Sequence, residues 1–287
     1  MKKIIVLGSS KNQIEYLKVL KQKFQIILLD KNINSPGRKF AYKFFHCAYD
    51  DTKKINNLFQ KKLIKSKYIF SASSHFAFIG LSYLAKKIGI KKFPSKKIVS
   101  IILNKSKFYE FLKKNKTNIP WTRKIYKQKD LLKYSGLNEI FFLKSDYGKS
   151  PHYIYKGSIA SLINRKINWK KDNFLKNNYL LQKKFNGTEI RVNVFKKKCI
   201  CYYFKNSKRL SRKDLKDFNK LKIPNQLIKI NKILKIEKLL VKYDVIISNG
   251  KYVILDIGLD PPQRMLNSFK KLNKNFYKFY TKFFINL

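Results

Sequence analysis

Carboxylates are what this sequence lacks. Its 287 residues hold 16 Asp and Glu against 66 Lys and Arg, a formal charge of +50 and a pI near 10.2. Such scarcity makes the position of each acid informative. Cysteine is also sparse. Cys47, Cys199 and Cys201 have no zinc-ligand spacing, which fits buried thiols in a reduced, cytoplasmic compartment. No apolar run approaches the roughly 18 residues of a membrane span. The Met1-Lys2-Lys3 start before IIVL imitates a signal peptide, but the apolar run is too short and no cleavage site follows. Arginine is rare among the bases, with 7 of the 66, and the lysines are spread over the whole length. Phosphate and base readers favour clustered Arg. A basic nucleic-acid- or ribosome-associated protein is therefore the alternative reading, and codon bias toward Lys, Asn, Ile, Phe and Tyr is another source of the charge. What is present in quantity is apolar: 44% of the chain, ample for a sizeable core.

From the start, KIIVL and QIILL read as strands around a helix with Ile14, Leu17 and Leu20 on one face and Ser10 as its cap. That order predicts a parallel α/β unit. Gly8 alone falls short of a dinucleotide fingerprint, although Asp30 lies at a suggestive distance. A third strand is expected at 68–70, followed by a polar loop with His75, then a helix over 78–87, with Gly89 and Pro94 closing the unit and a boundary near Pro94. Residues 95–114 read as one helix that includes Lys105. EIFFLK, a loop containing Gly148, and a short strand from His152 read as a hairpin or a phosphate flap. YLLQKK and EIRVNVF read as strands joined by FNGT, with Glu189, Arg191 and Asn193 on one face. A helix is expected over 224–241. Phe269, Leu272, Phe276, Phe279 and Phe283 form a helical apolar stripe, expected to pack on its own domain, with a membrane-surface helix as the alternative.

The stretch 241–264, VKYDVIISNGKYVILDIGLDPPQR, holds three of the acids. Asn249-Gly250 between two apolar runs signals a hairpin. A two-residue loop puts Asp244 opposite Leu255. A three-residue loop puts it opposite Asp256, with Ile246, Tyr252 and Ile254 on their face and Val253 and Leu255 on the apolar one. The second division is the better amphipathic sheet and is expected. Facing carboxylates about 4–5 Å apart repel by about 3–4 kcal/mol at an effective dielectric near 20. A proton, a lysine or a divalent cation can offset that.

In order and spacing these segments resemble the ATP-grasp superfamily over residues 1–264. The resemblance implies an α/β, Rossmann-like pre-ATP-grasp domain (1–94) and then an α+β ATP-grasp fold with antiparallel sheets (95–287). The latter has a lid subdomain near 117–180 and a C-terminal one near 181–287. In NKSKFYEFLKKNKTNIP, Lys105 matches the first nucleotide lysine. In FFLKSDYGKSPHYI, Lys144 matches the second, with Gly148 in the flap. In YLLQKKFNGTEIRVNVF, Gln182 takes the place of the hinge acid at the adenine amino group. Lys184 and Phe185 supply backbone contacts, and Glu189 takes the ribose place. Asp244 and Asp256 fall on the metal positions, and Asp260 is a substitute third ligand because Gly258 stands where the family has Asn. Lys205 matches a cation facing the transferred phosphate. Arg191 and Arg264 are candidates for holding a substrate carboxylate. The resemblance implies ATP with Mg²⁺ or Mn²⁺, a carboxylate activated as an acyl phosphate, and attack by an amine or thiol. A non-catalytic nucleotide-binding relative is the variant that the sparse-glycine flap and Gly258 leave open.

Overall fold

The computed structural model describes residues 1–147, 154–165, 178–196, 198–203, 219–248, 250–261 and 275–286. Among these, the strands make three four-stranded sheets.

The N-terminal sheet is parallel, ordered β3-β2-β1-β4, from β1 (Lys2–Leu7), β2 (Phe24–Asp30), β3 (Lys43–His46) and β4 (Ile69–Phe70). KIIVL and QIILLD are nearly continuous apolar runs because helices cover both faces of a parallel sheet. Those helices are α1 (Ile14–Lys21), α2 (Thr52–Gln60) and α3 (Ala77–Ile88). Ser10 makes no side-chain cap, and a 3-10 turn at Lys11–Gln13 precedes α1. The strand at β4 is the fourth, not the third. The short edge strand KFFH has no alternation to reveal it in the sequence. Asp30 is occupied structurally: its carboxylate accepts from Ser9 N at 2.7 Å, Ser9 Oγ at 2.8 Å and Asn32 N at 2.9 Å, fastening the loop after β1.

The expected single helix over 95–114 is two, α4 (Lys96–Leu103) and α5 (Lys105–Lys114). Asn104 between them is extended, and its side chain accepts from Lys107 N at 2.8 Å. It is a cap, so Lys105 is the first residue of a new helix rather than a mid-helix lysine.

The middle sheet is antiparallel, ordered β5-β8-β6-β7, from β5 (Thr122–Ile125), β6 (Phe141–Ser145), β7 (Ile154–Gly157) and β8 (Tyr179–Lys183). With α6 (Ile159–Asn164) it encloses its own small core around Phe141, Leu143, Tyr179 and Leu181. The C-terminal sheet, also antiparallel, runs β10-β9-β11-β12, from β9 (Thr188–Phe195), β10 (Lys198–Tyr203), β11 (Val241–Ser248) and β12 (Lys251–Gly258). Its apolar face, with Ile190, Val192, Tyr243 and Val245, joins the large core that also holds the N-terminal sheet. Helix α7 (Ile223–Ile233) ends earlier than expected, and its Asn231 accepts from Tyr243 OH at 2.5 Å.

The final helix, α8 (Phe276–Ile285), packs against α1 and β4, with ring centroids 4.8 Å apart for Tyr16 and Tyr277 and 5.3 Å for Phe70 and Phe284. It returns to the first sheet instead of covering its own domain, because Phe276, Tyr280 and Phe284 find their aromatic partners there.

The β11–β12 hairpin reaches the expected pairing by an unexpected route. Ser248 pairs with Lys251, so the loop is the two-residue one, with Gly250 at φ +74°. A β-bulge then adds Leu255 to β12, and Asp244 pairs with Asp256 after all. The bulge reverses the faces beyond it. Tyr252 pairs with Ile247 and Ile254 with Val245, and both pack on the large core, while Val253 pairs with Ile246.

Candidate active site

Two polar surfaces meet where the middle sheet approaches the outer face of the C-terminal sheet. On the first, β6 carries Lys144 and β8 carries Gln182, on adjacent antiparallel strands. Lys144 Nζ donates to Gln182 Oε1 at 2.8 Å and to Tyr109 OH at 3.2 Å. Gln182 Nε2 donates to the same hydroxyl at 2.9 Å. Tyr109 OH in turn donates to the carbonyl of Leu255 at 2.7 Å, the residue the bulge displaces. The hydroxyl thus joins α5, the middle sheet and β12. Burial holds the Tyr109 phenol far above its usual titration range, with Asp256 and Asp146 adding to the shift. Burial pulls the Lys144 amine down to about 8, while the nearby charges of Asp256, Asp244, Glu189 and Asp146 favour the ammonium. Three of these carboxylates, Asp256, Asp244 and Glu189, act on the lysine from another sheet, in a chain with only 16 acids.

On the second surface, Arg191, Asp244 and Asp256 form one row across β9, β11 and β12. Arg191 forks Asp244, with Nε to Oδ1 at 2.6 Å and Nη2 to Oδ2 at 2.8 Å. Each of these side chains is 12% exposed. The charge fixed on Asp244 is therefore an arginine, which the sequence reading assigned to a substrate carboxylate instead. Glu189 lies two residues along β9 on the same face, opposite Ile246. In the next row, Asn193, Lys242 and Gly258 are in register. Lys242 pairs with Asp260, and His75 Nδ1 lies 3.4 Å from Asp260 Oδ1. Among the described residues no three His, Cys, Asp or Glu side chains gather as a metal cluster. Asp260 is drawn to Lys242 and His75, not to the Asp244–Asp256 pair.

Asp146 was not singled out from the sequence. It is buried at the exit of β6, where Oδ1 accepts from Ser106 N at 2.7 Å and Oδ2 from Ser106 Oγ at 2.8 Å. Its carbonyl accepts from Lys105 N at 2.8 Å. Lys105, half-buried, is thereby fixed at the start of α5 beside the strand that carries Lys144. Lys184 N–H is committed to the carbonyl of Ile140 at 2.8 Å, and Phe185 follows it, half-buried, beyond the end of β8. Gly148, Lys205 and Arg264 lie outside the described residues.

No family model matches the sequence, and no curated protein does. Solved structures do match. N5-carboxyaminoimidazole ribonucleotide synthetase from Thermotoga maritima superposes with a TM-score of 0.68 at 18% identity, covering 100% of this chain and 76% of that one. D-alanine–D-alanine ligase from Bacillus anthracis gives 0.64 at 13%, covering 100% and 96%. The biotin carboxylase domain of Hydrogenobacter thermophilus 2-oxoglutarate carboxylase, in complex with MgADP, ADP and bicarbonate, gives 0.70 at 14%, covering 99% and 69%.

This chain has the ATP-grasp fold. Its two antiparallel sheets carry Lys144 and Gln182 on one side and Glu189, Asp244 and Asp256 on the other. Three residues of the candidate site were missed by the sequence reading. Asp146 had a signal, its rarity as an acid next to a predicted flap. Lys242 is one of many lysines, and Tyr109 is one of 18 tyrosines.

Proposed function

We propose that this chain binds ATP with Mg²⁺ or Mn²⁺ between its middle and C-terminal sheets and ligates a carboxylate to an amine or thiol. The convergence of Lys144 with Asp256, Asp244 and Glu189 from the opposite sheet carries the reading. A carboxylate oxygen of the acid attacks the terminal phosphorus and ADP leaves. The amine or thiol then attacks the acyl carbon and inorganic phosphate leaves. Catalysis of this kind is mostly positioning and charge neutralisation.

The donor set of Asp244 and Asp256 fits one hard cation. Mg²⁺ takes one or two carboxylates with phosphate oxygens and water, and each Asp244 oxygen keeps a lone pair beyond the one Arg191 occupies. Once bound, the ion would neutralise and orient the phosphates. Lys144 and Lys105 hold phosphate oxygens, Glu189 the ribose, and Gln182 with the backbone at Lys184 and Phe185 the base. Because Lys184 N–H is taken, its carbonyl and the N–H of Phe185 make that contact. Arg191 acts on the acid substrate only through Asp244. The division of labour follows segments 1–94 and 95–287.

A second reading, a nucleotide binder without ligation, is favoured by the fixed cations that already meet Asp244 and Asp260. A nucleic-acid binder gains nothing from carboxylates in its groove. Thermal unfolding with ATP and Mg²⁺ tests the proposal. A ligand at 100 times its dissociation constant adds about 2.7 kcal/mol. That gain is expected in wild type and not in Asp256→Ala; no gain in wild type refutes nucleotide binding. ADP release in a screen of acids and amines then separates the ligase from the silent binder.

A further inference from the structure

Buried polar atoms without partners are few in native proteins, and each calls for an explanation. Asn193 is 1% exposed, and among the described residues neither its Oδ1 nor its Nδ2 has a hydrogen-bond partner. His75 is 5% exposed, and among the described residues neither ring nitrogen is hydrogen-bonded. The fold brings both to the same ion pair. Asn193 is in register beside Lys242, itself 5% exposed, and Lys242 pairs with Asp260, whose Oδ1 lies 3.4 Å from His75 Nδ1. Gly258 leaves room for the arrangement: a Cβ there would stand 2.3 Å from Lys242 Cε, so any other residue would make the lysine shift from its path across β12 to Asp260. The cluster spans from the C-terminal sheet to the loop after β4, at the carboxyl end of the parallel strands, where ligands bind in open α/β sheets. It lies two residues along β11 and β12 from Asp244 and Asp256, about 7 Å at a strand's rise.

We propose that His75, Asn193, Lys242 and Asp260 form a subsite for a small zwitterion, an α-amino acid or an amino carboxylate of that size. Lys242 and Asp260 stand side by side with opposite charges, so a simple anion meets the carboxylate there and a simple cation the ammonium. A ligand carrying both charges divides the pair. Its carboxylate takes Lys242 and Asn193 Nδ2, and its ammonium takes Asp260 and Asn193 Oδ1. His75 donates or accepts according to tautomer. The role of this ligand as one of the two ligation substrates rests on the ligase reading; its binding does not.

Calorimetry and thermal unfolding of the full chain without nucleotide test it. The probes are the genetically encoded amino acids, each beside its α-carboxamide and its des-amino acid, with ADP titrated separately. At least one amino acid should bind and raise Tm, with both analogues weaker by about tenfold or more. Asn193→Leu should lose about tenfold or more of that affinity, keep ADP binding, and unfold no more easily than wild type, since it gives up no hydrogen bond. Wild type that binds ADP and no amino acid overturns the subsite, as does a des-amino acid that binds equally well. A leucine variant that retains the affinity, or that is clearly destabilised, also overturns it. Amino-acid binding without ADP binding keeps the subsite and removes the nucleotide reading.

Discussion

The two walls of the candidate site carry opposite charges and are held in opposite ways. On the middle sheet, Lys144 is hydrogen-bonded to Gln182 and Tyr109, both neutral, and burial draws its amine toward about 8. On the C-terminal sheet, Asp244 is forked by Arg191, and Asp260 meets Lys242. A cation on neutral supports keeps its charge for an incoming anion. A carboxylate with a fixed cation can stay assembled when no ligand is there. The cores differ in the same sense. The middle sheet closes over a small core of its own, and the C-terminal sheet shares the large one with the N-terminal strands.

Removing the charge from the second wall should have the largest effect. Asp244→Ala leaves the Arg191 guanidinium, 12% exposed, without its fork, and breaking such a pair costs about 3–5 kcal/mol. Denaturant unfolding measures it; a loss below about 1 kcal/mol would class the pair with surface ion pairs and dissolve the contrast. On the first wall the support is a neutral hydroxyl, so Tyr109→Phe should cost less, about 1–3 kcal/mol, by leaving the Leu255 carbonyl and Gln182 short of a partner. It should also weaken nucleotide binding, because Lys144 loses one of its two anchors.

The smallest effect is a pH dependence. The folded-state amine of Lys144 lies near 8, below the 10.5 of a free lysine, so folding disfavours its charged form. That penalty is complete below pH 8 and fades as pH rises from 8 toward 10.5. Lys144→Met should therefore be more stable than wild type below pH 8, by something on the order of 1 kcal/mol, and the gap should close over that window. Paired melts across pH read the gap directly. A gap that does not move with pH would mean the amine is held by a charge after all.

Much of this was readable from residue order. The parallel start followed from two apolar runs around a helix. The strands bearing Lys144, Gln182 and Glu189 followed from their alternation; the facing aspartates were expected from a three-residue loop, and a two-residue loop with a bulge brings them together instead. The bulge was not readable, since Leu255 is as apolar as its neighbours and its carbonyl is met by Tyr109 from far along the chain. Asn104 was a legible cap in hindsight, hidden in an otherwise helical apolar pattern. Arg191 was found as a member of the site face, but its partner was not, because register across β9 and β11 depends on long-range pairing.

Asp146 grips the first turn of α5 with both its carboxylate and its carbonyl while ending the strand that presents Lys144. The two nucleotide lysines of the resemblance are thereby parts of one linkage. If the middle sheet rocks on its small core, α5 is dragged with it, and Lys105 and Lys144 keep their spacing like two teeth on a single cam.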